Sequence, residues 1–126
     1  MSVLPAHDRA YLAERSLAFR EVVEGGQVGV ILEGFPLPPA RFQVNAADIL
    51  ILLPPGYPDT PPDMFHALPH LTLAGTGRQP RATQARVAFD GRSWQRWSRH
   101  SSEWRPGIDG LRTMLKRVEH ALEIAA

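Results

Sequence analysis

The stretch Ile49-Leu50-Ile51-Leu52-Leu53-Pro54-Pro55-Gly56-Tyr57-Pro58-Asp59-Thr60-Pro61-Pro62 holds the sharpest change of character in the chain. Five apolar residues in a row read as a strand buried on both faces, because a half-exposed strand would alternate apolar with polar. Five prolines then fall within nine positions. Proline fixes φ and removes a backbone donor, and it biases the residue before it toward extended backbone, so neither a helix nor a central strand can continue. The segment reads as an ordered extended loop, anchored by Tyr57 and Phe65.

Upstream, the strand is expected to begin at Arg41, with Phe42 and Val44 alternating before the continuous run. Phe35-Pro36-Leu37-Pro38-Pro39 breaks the preceding strand, Val28–Glu33. That strand pairs with Leu17–Glu24 across Gly25-Gly26, a glycine pair suited to a two-residue hairpin turn. Pro5–Arg15 reads as a short helix with Asp8 as N-cap and Tyr11 and Leu12 on one stripe. Downstream, His70–Leu73 is expected to form the fourth strand. Gly75–Ser93 reads as mostly irregular, with a brief strand at Arg86–Phe89. Ile108, Leu111, Leu115, Val118 and Leu122 recur at three- and four-residue steps, the stripe of an amphipathic helix that starts at Asp109. The order helix, antiparallel meander, loop, helix gives an α+β fold in one domain over residues 1–126.

Composition bounds the chemistry. The 126 residues carry no cysteine, which excludes disulfides, thiolate metal sites and any thiol nucleophile. Whatever reaction the chain performs runs on oxygen or nitrogen groups. No apolar run reaches membrane-helix length, and the N-terminus lacks a basic-then-apolar leader, which points to a cytoplasmic protein with no membrane partner. Charge is uneven: through Thr76 four arginines face eight acidic residues, and from Gly77 onward ten basic residues face five acidic ones. Lys116 is the single lysine beside thirteen arginines. The histidines show no metal-ligand spacing, so neither a metal nor a cofactor is expected.

Leu53 to Pro62 closely resembles the signature of ubiquitin-conjugating enzymes, in which a strand runs into a Pro-x-x-Tyr-Pro-x-x-Pro-Pro turn. Trp104-Arg105-Pro106, followed by the Leu111/Leu115/Val118 helix, is similar to the Trp-Ser-Pro entry into that family's first post-catalytic helix. Pro61-Pro62-Asp63-Met64-Phe65 and Trp94-x-x-Trp97-Ser98-Arg99-His100 look most like a prokaryotic branch of the superfamily. Members of that branch are typically encoded beside a ubiquitin-like protein, an activating enzyme and a deubiquitinase-like metalloprotease. The resemblance spans nearly the whole chain. It implies the UBC-like fold: an N-terminal helix, a four-stranded antiparallel meander, the proline loop and a C-terminal helix, without the family's usual last two helices. It also implies a ubiquitin-like protein and an activating enzyme as partners.

The departures from the family are as informative. Its catalytic cysteine stands about eight residues before the tryptophan, a place that falls near Arg96, between Ser93 and Ser98. No thiol is there, and the family's His-Pro-Asn tripeptide is missing upstream. A serine hydroxyl is far less acidic than a thiol and needs a base within hydrogen-bond reach. Ser98 and His100, two residues apart in an extended stretch, project to one side and supply that pair. Arg96 or Arg99 would stabilise an oxyanion or hold a partner's terminal carboxylate. Ser93, Ser101 and Ser102 are fallback nucleophiles. Tyr57, Trp97 and Trp104 complete the candidate binding residues.

Two readings stay open. In one, the chain carries an acyl group as an oxyester on Ser98. In the other it is a non-catalytic adaptor that binds a ubiquitin-like protein or an activating enzyme. The scarcity of lysine suits a carrier, since guanidinium is not nucleophilic at neutral pH, although genomic base composition is the default explanation. A third class, single-stranded nucleic-acid binding through the Arg/Trp-rich segment Arg78–Arg105, ranks below both, because tryptophan in a small domain more often fills core.

Overall fold

The computed structural model describes residues 4–100 and 103–126. It is an α+β fold in which six antiparallel strands form one sheet, in the order β1-β2-β3-β4-β6-β5. Helix α1 (Ala6–Glu14) leads into β1 (Ala18–Glu24), β2 (Gln27–Pro36), β3 (Ala46–Leu53), β4 (Phe65–Leu68), β5 (Arg86–Phe89), β6 (Arg92–Trp97) and helix α2 (Leu111–Glu123). Gly25 and Gly26 both take positive φ and join β1 to β2, with Glu24 opposite Gln27. That is the turn for which a glycine pair is suited, because both central residues need a left-handed backbone.

The continuous run on β3 is continuous because both of its faces are buried. Ile49, Ile51 and Leu53 join Val30, Leu32, Phe65 and Trp97 in the main core, covered by Leu12 of α1 and by Leu111, Leu115, Val118 and Leu122 of α2. Leu50 points the other way and meets Ile31, Phe89 and Trp94 in a second, smaller cluster. That cluster exists because the sheet curls on itself. A methyl group built on Gly29 of β2 would lie 2.7 Å from the Phe89 ring and 2.9 Å from Leu50, so β5 folds back over β2 and β3. The Asp90-Gly91 turn reaches the far edge strand. There the Arg20 guanidinium donates to Asp90 Oδ2 at 2.9 Å, and the Asp90 backbone N–H donates to Glu24 Oε2 at 3.2 Å.

Several sequence expectations are corrected. The sheet has six strands rather than four. The strand after the proline loop is Phe65–Leu68, not His70–Leu73, because Phe65, Ala67 and His66 find ladder partners on β3 and β6, while Pro69 has no N–H to continue the ladder. Leu73 makes only an isolated bridge to Phe42, and β3 starts at Ala46 instead of Arg41. Strand β2 does not stop at Glu33. Gly34 takes φ of 63° at a register shift, and pairing resumes at Phe35 and Pro36. Gly75–Ser93 is irregular up to the brief strand expected at Arg86–Phe89, which is β5; what the reading missed is β6, with which β5 forms a hairpin. Ile108 precedes α2 and is 67% exposed rather than on its buried stripe.

Asp8 is not the cap of α1. The helix starts at Ala6 after Pro5, and the Asp8 carboxylate is 1% exposed. It accepts from the Tyr57 hydroxyl at 2.6 Å and from the backbone N–H of Leu111 at 3.1 Å. Gly110, the residue before α2, has no side chain to satisfy the helix's first donors, so a carboxylate from the other end of the chain does it.

Candidate functional site

The proline loop is held from both helices and from the segment before α2. The Trp104 indole N–H donates to Pro58 O at 2.8 Å, and the Tyr57 hydroxyl is fixed by Asp8. Burial, then the hydrogen bond to Asp8 and its charge, push the Tyr57 phenol far above its ordinary range, so it remains a neutral donor. Arg117 of α2 staples the end of the loop: its guanidinium donates to Pro62 O at 3.3 Å, to Asp63 O at 3.1 Å and to Arg99 O at 3.2 Å. Burial lowers the Arg117 pKa, with nearby Asp63 opposing.

Through those carbonyls Arg117 sets the spacing of two segments that carry a polar pair. His100 Nδ1 lies 2.7 Å from Asp63 Oδ1, and both side chains are largely exposed, 64% and 60%. Facing a carboxylate, Nδ1 is the nitrogen that carries the proton, which leaves Nε2 as the ring's acceptor nitrogen. Neither Asp63 nor Arg117 was among the residues singled out from the sequence. A lone acid in a proline loop and one arginine on a helix carry no local signal of a pairing across 37 and 18 or more positions.

The other candidates separate by face. Trp97 is fully buried, stacked on Phe65 with ring centroids 5.2 Å apart, so its ring supports the site from within. Arg99 lies over the same indole, its guanidinium 4.9 Å from the centroid, and burial together with Arg81 lowers its pKa. Ser98 is half-buried, its N–H donating to Ala82 O at 3.1 Å. Ser93 is exposed on β6, and its carbonyl lies 3.2 Å from His70 Nε2. Ser101 and Ser102 fall outside the described residues. Trp94 and Trp97 are both fully buried, which removes two of three indoles from any surface on which a base could stack.

Arg96 lies in the mouth of the curled sheet. A cavity of about 960 Å³ opens there between the Gly25-Gly26 turn and the proline loop, lined also by Leu52, Asp63, Met64, His66 and Val87. His66 stands directly across from Arg96 in the β4–β6 ladder and is 3% exposed. Burial, reinforced by the Arg96 charge, brings its pKa down to about 4, so it is neutral, with Nδ1 3.3 Å from Leu50 O. Arg96 Nε is buried and has no hydrogen-bond partner among the described residues. Among those residues no cluster of His, Asp or Glu is arranged to hold a metal, and no helix is long and apolar enough to cross a membrane.

A curled antiparallel sheet on two helices, a proline loop bonded to the tryptophan that leads into the last helix, and the sequence signature at their junction together define an E2-like domain of the ubiquitin-conjugating kind. The model of prokaryotic E2 family E matches residues 4–125, and the chain belongs to that family. No curated protein and no solved structure gives a significant match. This chain has no cysteine at any position, so it lacks the thiol on which ubiquitin-conjugating enzymes carry their acyl group. Membership in an E2-like family places it among components that work with ubiquitin-like proteins and their activating enzymes in general.

Proposed function

We propose that this protein is an acyl carrier of a bacterial ubiquitin-like modification pathway that uses Ser98 in place of a cysteine. The observation that carries the reading is the Asp63–His100 pair at 2.7 Å, two residues from Ser98. A carboxylate on Nδ1 orients the ring and leaves Nε2 to act as base, one part of what a hydroxyl nucleophile requires; no hydrogen bond joins Ser98 Oγ to His100 among the described residues. Strand alternation supports it further. Trp94 and Arg96 occupy the curled face of β6, and Ser98, next in that alternation, is assigned to the same face as Arg96.

In the proposed step the Ser98 oxygen attacks the terminal carbonyl of a ubiquitin-like protein held as a thioester on its activating enzyme. The serine proton passes to His100 Nε2 and then to the departing thiolate as the carbon–sulfur bond breaks. Arg96, on the same face, faces the oxyanion that forms. The product is an oxyester, and a second partner must supply the amine or hydroxyl that receives the acyl group.

The test is intact-mass measurement after incubation with the activating enzyme, the ubiquitin-like protein and ATP. The reading expects the mass to rise by one ubiquitin-like protein less one water, and Ser98→Ala to show no rise while still binding both partners. Unchanged wild-type mass with partner binding retained assigns the chain to the adaptor class instead.

A further inference from the structure

Strand β6 changes partners along its length. From Gln95 to Trp97 it pairs with β4. There the Gln95 amide bonds both the N–H and the C=O of Leu71, and the Trp97 ring stacks on Phe65. From Arg92 to Trp94 its ladder partners are Phe89, Ala88 and Val87 of β5. This tip of the hairpin is bonded within itself. Asp90 and Gly91 take φ of 55° and 69° in the turn, and the Trp94 indole N–H donates to Phe89 O at 2.9 Å. The Arg92 guanidinium lies 4.6 Å from the Trp94 ring centroid. The hairpin therefore has a root fixed in the main core and a tip that holds together on its own.

That tip covers the outer face of β2 and β3. Phe89 and Trp94 close over Ile31 and Leu50, with Val22, Leu52 and Leu68 partly buried around them. Phe89 reaches the face because residue 29 is glycine: a methyl group there would stand 2.7 Å from its ring. Gly29 is not among the glycines with positive φ, so close approach, and not turn geometry, is what calls for it.

Charge fastens the tip to the strands it covers. Asp90 Oδ2 accepts from Arg20 of β1 at 2.9 Å and from Arg92 at 3.2 Å. Arg92 also donates to Asp48 of β3 at 3.3 Å, and the Asp90 N–H donates to Glu24 of β1 at 3.2 Å. The ion-paired side chains are 27–43% exposed, so water and salt weaken each pair. A small apolar cluster sealed by exposed polar contacts is the part of a fold that opens first.

We infer that residues 87–94 form a strap that lifts from the outer face of the sheet as a unit while the helix-covered core stays folded. Closed, the strap is a self-contact that keeps an apolar face of β2 and β3 covered. Lifted, it presents Ile31 and Leu50 to solvent without global unfolding. Arg20, Asp48, Asp90 and Arg92 are its latch. The device is independent of the Ser98 chemistry and stands or falls without it.

The chain has no cysteine, so a single introduced thiol is a unique probe. The full chain carries it beneath the strap, as Leu50→Cys or Ile31→Cys, or in the main core, as Ala67→Cys. Labelling by a small uncharged maleimide is timed across a urea series, beside the global unfolding of each variant. Without urea, both probes beneath the strap are expected to label about tenfold faster than Ala67→Cys, with little dependence on urea until global unfolding takes over. Added sodium chloride should speed the urea-independent rate by about threefold or more. Asp90→Asn should do the same, since asparagine tolerates the positive φ but lacks the latch charge. Gly29→Ala should raise that rate too, by wedging Phe89 outward. Two results overturn the inference. One is labelling at Leu50→Cys and Ile31→Cys that follows the urea slope of global unfolding throughout. The other is a urea-independent rate that neither salt nor Asp90→Asn changes.

Discussion

The two sides of the proline loop treat buried polar groups in opposite ways. Toward the helices, Asp8 is almost wholly enclosed, yet its oxygens accept from a phenol at 2.6 Å and from a helix-terminal amide at 3.1 Å. Toward the curled face, Arg96 is enclosed at one nitrogen and satisfied by nothing described. The first arrangement is what folding requires, since an enclosed charge without partners costs more than its neighbours return. The second departs from that rule at one place, and that place opens onto the cavity between the glycine turn and the proline loop. A polar group that the fold leaves unmatched is therefore the more informative one about ligands.

Changes on the sealed side should cost most. Trp97 is fully buried, stacked on Phe65 and in contact with the Arg99 guanidinium. Trp97→Ala is expected to destabilise by about 3–5 kcal/mol in urea unfolding, by lost burial and the cavity left behind. A loss under 1 kcal/mol would mean the indole is not core.

Asp8→Ala comes next. It leaves the Tyr57 hydroxyl and the Leu111 amide without their acceptor, at about 1–3 kcal/mol for each stranded group. A combined loss of about 2–4 kcal/mol is expected, and Tyr57→Phe in the same background should recover part of it. Full additivity of the two substitutions would contradict a direct bond between them.

On the open side the effects are smaller and one changes sign. His66 titrates near 6.5 when exposed, and burial with Arg96 opposite brings it down to about 4 in the folded chain. Between those values the unfolded chain holds the proton and the folded chain does not. Stability from this residue is thus present above pH 6.5 and lost as pH falls toward 4, by about 2–3 kcal/mol in total. The slope should flatten in His66→Gln, and a variant with the same acid slope as wild type would assign the loss to other groups. Arg96→Met should leave stability unchanged or raise it by about 1 kcal/mol, since it removes a stranded buried donor. A drop of 2 kcal/mol would show that Arg96 serves the fold.

The parts of the architecture legible in the sequence were those written in local chemistry. Gly25-Gly26 needs no context to announce a turn, the proline run forbids regular structure, and the stripe from Leu111 to Leu122 repeats at helical spacing. What stayed hidden depends on contacts across the fold. Strand β6 carries the polar residues Gln95 and Arg96 on opposite faces between two buried tryptophans. Gln95 is buried there because its amide bonds both the N–H and the C=O of Leu71, at 2.9 and 3.0 Å. A side chain that replaces a backbone partner breaks the apolar alternation by which a strand is read. The Asp90-Gly91 pair was the available cue for that hairpin. Of the candidate site, Ser98, His100 and Arg96 were visible as neighbours in sequence. Asp63 and Arg117, which orient them, were not, because the proline loop and α2 meet them only in the folded chain.

The account turns on the bond by which a cysteine-free E2-like chain would hold its cargo. The most direct measurement is to isolate the adduct formed with activating enzyme, ubiquitin-like protein and ATP. It is then treated in parallel with a thiol reductant at neutral pH and with dilute hydroxide, and the modified residue is mapped by tandem mass spectrometry. An ester on Ser98 should survive the thiol, be released by hydroxide and map to Ser98. An adduct that resists hydroxide and maps to Lys116 or to the terminal amine would contradict the account.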